Sequence, residues 1–176
     1  MTTMRSIPKL VGMAITVTAA AGSLLVAPAA AAEPKAEEVR GGWFGALPCP
    51  FTSVSPPASS STVVPFECVS GSMWDGAWAG QTAYRLVGTM DLVSGDIHAT
   101  LDETLVGMVS ATRRPGLLHL AGTVDVDGAT DTLVVWERII GGSGAFAGSS
   151  GTVVFDGFQA AAVVGHGGYH GTWTHP

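Results

Sequence analysis

The chain has 176 residues, 47% hydrophobic and only 12% charged, with 24 glycines, 10 prolines and two cysteines. Arg5 and Lys9 fall in an N-terminal leader while all 14 acidic residues follow it, so the remainder carries six basic against 14 acidic side chains, a formal charge of −8. That balance argues against nucleic acid and anionic membrane surfaces as partners, because both are held by clustered Lys and Arg.

Residues 1–32 read as a signal peptide. Arg5 and Lys9 make a basic start, Leu10 to Val26 an apolar core, and Ala30-Ala31-Ala32 a small-residue cleavage site before Glu33. The apolar run is short and alanine-rich for a membrane span of ~20 residues, and no cysteine follows the cleavage site to carry a lipid. The expectation is a secreted, extracellular protein with no stable membrane insertion once the leader is removed. Residues 33–42 are polar and read as a flexible leader. Residues 43–65 read as a Pro/Ser-rich loop region, with Trp43 and Phe44 as the first packed contact. Cys49 and Cys68, an even count in an exported chain, are expected to form one disulfide across that loop.

Residues 66–176 carry the pattern of a β-domain. In "TAYRLVGTMDLV" the apolar Tyr84, Leu86, Met90 and Leu92 alternate with Arg85, Thr89 and Asp91, and Ser94-Gly95 then turns the chain. "DIHATLDETLVGMV" sets Ile97, Leu101, Leu105 and Val109 on one face, against His98, Thr100, Asp102 and Thr104 on the other. Leu118, Leu120, Val124 and Val126 form the apolar side of the next strand, and Asp127-Gly128 turns again. "TDTLVVWERII" is apolar on both faces, so alternation does not orient it. "FECVSGSMW", "GTVVFDGF", "GGYHGTWT" and a short piece near 160–164 bring the total to seven or eight strands, with no amphipathic helix. The fold class is all-β: a single antiparallel β-barrel of about eight strands, with a sandwich as the alternative. A barrel of that size has an interior that side chains fill or that holds one small ligand.

"IIGGSGAFAGSSGTVVFDG" (139–157) has the spacing of a dinucleotide-binding loop, with Gly142, Gly144 and Ala147 as G-x-G-x-x-A. Such a loop must open a helix, whose N-terminal amides hold the phosphate. Here the glycines lead into a β-branched run, so the stretch reads as a strand connection with glycines at positive φ and Phe146 as its large apolar anchor. The same residues, Gly141, Gly142, Ser143, Gly144, Phe146, Gly148 and Gly151, resemble the Gly-Gly-(Ser/Thr)-Gly-x-Phe-x-Gly-x-x-Gly signature of allene oxide cyclases and, more loosely, of dirigent proteins. "DETLVG" and "GTWT" are similar to segments of small bacterial proteins with that barrel. The close match covers about a tenth of the chain. The resemblance implies a calycin-like eight-stranded barrel with an apolar interior, and an activity that positions and folds a reactive lipid- or polyketide-like substrate. It assigns no catalytic glutamate, because the first strand lacks the matching motif.

Alternation places Glu103 on the apolar face with Leu101 and Leu105, where a carboxyl has a raised pKa and can act as general acid or base. A bulge at Asp102-Glu103 would turn it outward instead. Tyr84 is its candidate neighbour, and the two are the candidate catalytic pair. Glu67 and Glu137 lie on strands of unclear orientation and rank below them. Leu86, Met90, Leu101, Leu105 and Trp136 are the candidate ligand contacts. His166, His170 and His175 invite a metal reading, but strand residues four apart lie ~13 Å apart, and no metal or cofactor is expected. Three functions follow: a secreted barrel binding a small apolar molecule, a cyclase or isomerase using Glu103, and a structural or surface-interaction protein with a filled interior.

Overall fold

The computed structural model describes residues 35–54, 61–160 and 164–175; the expected signal peptide lies outside them. Among the described residues there is no helix. Ten strands follow in order: β1 (Lys35–Ala46), β2 (Phe51–Val54), β3 (Val63–Ser70), β4 (Ser72–Asp75), β5 (Trp78–Asp91), β6 (Ile97–Val109), β7 (Arg114–Asp127), β8 (Thr132–Gly144), β9 (Ser150–Ala160) and β10 (Val164–His175). Every pairing is antiparallel. From β5 the ladder runs through β6, β7, β8, β9, β10, β1 and β4 and returns to β5, closing an eight-stranded barrel. β3 lies along the other half of β5, in line with β4, and β2 pairs on its outer edge.

The barrel begins earlier than composition suggests. Lys35 to Gly42, expected as a flexible leader, belongs to β1, which pairs with β10 from Lys35↔His175 to Gly45↔His166. The 43–65 region likewise contributes the end of β1, β2 and the start of β3. Strand pairing uses backbone groups and is indifferent to composition; only inward side chains must be apolar. Buried Val39 and Phe44 supply those, while Glu38 and Arg40 face out. Alternation is obeyed along the long strands: Ile97, Ala99, Leu101, Glu103 and Leu105 are buried on β6, and Leu118, Leu120, Val124 and Val126 on β7. β8, unreadable from pattern, turns Leu133, Val135, Glu137 and Ile139 inward.

One end of the interior is plugged by aromatic rings. The glycine-rich connection between β8 and β9 is a tight turn in which Gly144 and Gly148 adopt φ of 62° and 70°. These left-handed conformations carry little penalty only for glycine. The Phe146 amide donates to the Ser143 carbonyl and the Ser149 amide to the Phe146 carbonyl. The turn thereby drives Phe146 into the barrel, where it is fully buried. Its ring meets Trp78 edge-on at 5.8 Å, and Trp78 meets Trp173 at 5.6 Å. The Trp173 indole donates to the Ser149 hydroxyl at 2.8 Å, tying the plug back to its own turn. Tyr169 bridges the interior: its hydroxyl donates to the Trp78 carbonyl at 2.8 Å and accepts the Trp78 amide at 2.9 Å. Burial pushes that phenol up to about 12, so it stays protonated and keeps both bonds.

Candidate functional site

Beyond the plug the interior is not filled. A cavity of about 100 Å³ extends toward the opposite end of the barrel. Its wall is apolar, with Phe44, Phe66, Leu86, Leu101, Val135 and Phe155 among its residues, and the Cys49–Cys68 bridge lies in it. The expected disulfide is present, with Cα atoms 5.7 Å apart. Leu47, Gln159 and Gly165 bound the cavity where the strands end, and Leu47 is exposed there. The rim segment after β1 is fixed by short-range bonds as well as by the bridge: Ser70 Oγ donates to the Pro48 carbonyl, the Leu47 amide to the Gly71 carbonyl, and the Tyr84 hydroxyl to the Leu47 carbonyl at 3.2 Å.

Glu103 lies in the cavity wall and is 7% exposed. β6 pairs with β5 and β7 without a register shift, so no bulge rotates its side chain outward. Its Oε1 accepts a hydrogen bond from the Ser72 hydroxyl at 3.1 Å. Ser72 in turn accepts the Trp74 indole N–H at 2.9 Å and lies 2.7 Å from the Thr82 hydroxyl. β4 and β5 thus direct a small relay of donors at one carboxyl.

A second carboxyl faces the first. Glu137 is completely buried, and among the described residues no donor reaches either of its oxygens. The polar group it meets is the Glu103 carboxyl. β7 lies between their strands, and there Glu137 and Leu101 are both in register with Gly122. A Cβ at Gly122 would collide with the Trp136 carbonyl oxygen and lie 2.7 Å from the Glu137 Cα, so β7 and β8 approach this closely only with glycine there. Burial raises both carboxyls. Glu137 is raised well above the usual carboxylate range, because desolvation and then the Glu103 charge oppose its ionisation. In Glu103 desolvation is offset by hydrogen bonds, led by Thr82 and Ser72, that favour the charged form. Glu103 has the Ser72 donor to support a charge and Glu137 has none, so of the two it is Glu137 that keeps its proton more readily.

The expected site residues divide. Glu103, Tyr84, Leu86 and Leu101 all line the cavity. Met90 packs against the core farther along β5 and is not in the wall; Leu105 is fully buried in the core on the plug side of Glu103. Trp136 is on the outer face, 47% exposed, because β8 uses its odd-numbered residues for the interior. Glu67 pairs with Arg85 at 2.7 Å on the outside. His166 and His170 are exposed on β10, and His175 stacks on Trp173 at 4.2 Å. Among the described residues no group of three or more His, Cys, Asp or Glu is placed to hold a metal ion. Pattern gave no sign of Ser72 and Thr82, whose hydroxyls matter only once β4 and β5 are paired. No protein-family model and no curated protein matches the chain.

Proposed function

We propose that the protein is a secreted barrel that binds one small, mainly apolar molecule inside it. The observation that carries this reading is the unfilled, apolar cavity with a single hydrogen-bonding carboxyl in its wall. Small-molecule sites have this make-up: an apolar lining with a few fixed polar groups that set orientation. The volume is of the order that accepts a single ring, since an apolar cavity of ~150 Å³ binds benzene. Secretion is supported by the leader and by the disulfide, which persists in oxidising compartments and is rare in reducing ones. Kinship with the allene oxide cyclase-like barrels, resting on the glycine-rich signature, belongs to the same proposal.

Trp74 lies in the cavity wall, so its fluorescence reports occupancy directly. Across a panel of ring-sized terpenoid and polyketide-like compounds, short fatty acids and small hydrophobic amines, at least one member is expected to give saturable, one-to-one binding, abolished when Leu101→Trp fills the cavity. A flat response to the whole panel overturns the reading.

The buried carboxyl pair favours a second reading, a cyclase or isomerase in which Glu103 exchanges a proton with a reactive substrate. There Glu103→Gln should reduce turnover by about 10²-fold or more while leaving binding measurable. Equal turnover in wild type and variant removes Glu103 from any chemistry.

A further inference from the structure

The charge inventory of the cavity narrows the ligand further. Lys and Arg are missing from its wall, and apart from the Tyr84 phenol its one ionisable group is Glu103. The described basic residues are elsewhere: Arg85 is paired with Glu67 outside, Arg138 is exposed on β8, Arg113 and Arg114 are exposed around the β6–β7 turn, and Lys35 and Arg40 are exposed on β1. Glu103 receives the Ser72 hydroxyl, itself held by the Trp74 indole and Thr82, a donor set suited to a carboxylate. A negative charge on the pair would fall on Glu103, in an apolar interior, with no Lys or Arg in the cavity wall to balance it. A buried charge left unpaired is costly, and a well-placed cation offsets part of that cost.

The wall supplies the second half of the argument. Phe44, Phe66, Trp74, Tyr84 and Phe155 line the same cavity, and aromatic rings attract ammonium groups through their quadrupole, more strongly where water is excluded. The net negative charge of the chain adds a long-range attraction for cations. From the carboxylate beside an aromatic wall, we infer that the ligand is a small hydrophobic amine, its ammonium group on Glu103 and its apolar body along the rings toward Leu47 and Gln159. This rests on the ligand-binding reading and specifies its chemistry. It sets the protein apart from carriers of fatty acids, whose carboxylate would be repelled by Glu103.

The test compares three probes of one shape and different charge at neutral pH: benzylamine, benzyl alcohol and benzoate, titrated calorimetrically. The amine should bind roughly tenfold tighter than the alcohol, the benefit expected of a desolvated ammonium contact, and benzoate should bind weakest. In Glu103→Gln the advantage of the amine should shrink to about twofold, while Glu137→Gln, outside the cavity wall and leaving Glu103 and its Ser72 donor in place, should keep it. The ranking in the unaltered protein stands without either variant, so a failure of Glu103→Gln to fold does not shield the inference. An alcohol that binds as tightly as the amine overturns it while leaving the ligand-binding reading intact, as does an amine preference that survives Glu103→Gln. If none of the three binds the inference falls, and the wider panel alone decides the fate of the reading beneath it.

Discussion

Glu137 shows how far a single residue can be read before its surroundings are known. Its strand, "TLVVWERII", offers apolar residues on both faces, so parity could not say whether Glu137 or Trp136 pointed inward. Burial energy does not distinguish the two orientations until β7 and β9 are in place, when the barrel takes Leu133, Val135 and Ile139 and the carboxyl goes in with them. Glu103 was legible because its neighbours alternate strictly. The pair has a measurable signature. A carboxyl whose folded pKa is raised binds its proton more tightly in the native state, so its contribution is complete below the ordinary value of 4.5 and is lost as pH rises through the folded pKa. Denaturant unfolding measured from pH 4 upward should therefore show stability falling as pH rises, by at most ~1.4 kcal/mol per pH unit for each such proton. Glu137→Gln should flatten that decline. A slope unchanged in the variant would mean that Glu137 is already ionised in the folded protein.

At the level of the element, the glycine-rich connection has a definite mechanical job. Gly144 and Gly148 are needed for their φ angles, and the turn they make carries Phe146 into the space between Trp78 and Trp173. That much follows from the order of residues: glycines before a β-branched run exclude a helix, and one large apolar residue among small ones must be the anchor. What the anchor closes could not be read, because its partners come from β5 and β10, far away in sequence. Phe146→Ala is expected to cost ~3–5 kcal/mol, the range for truncating a buried phenylalanine. Chemical denaturation measures it, and a red-shifted tryptophan emission in the folded variant would report water reaching Trp78 and Trp173. A cost under ~0.5 kcal/mol, the usual range for surface changes, would mean that the plug contributes little to closure. The missed start of β1 has a similar origin: an edge joined by backbone bonds to the last strand leaves almost no trace in composition.

For the molecule as a whole, the barrel is closed by the pairing of its first and last strands, with the disulfide fastening the loop that lies beside the closure. The bridge joins positions 19 apart, and closing a loop of that length is worth ~3 kcal/mol in the chain-entropy model. Reduction should lower the melting temperature accordingly. Because the bridge also forms part of the cavity wall, reduction should weaken ligand binding at temperatures where the barrel stays folded; binding unchanged in reductant would separate the bridge from the site. The interior, sealed by rings at one end, also constrains traffic. Among the described residues the cavity reaches its rim at Leu47, Gln159 and Gly165, so an occupant enters and leaves on that side, and water exchanges with it there. Exchange of one occupant for another is then strictly sequential, with no through-passage. A change that only widens this rim would quicken arrival and departure in equal proportion, altering residence time while leaving affinity where it was.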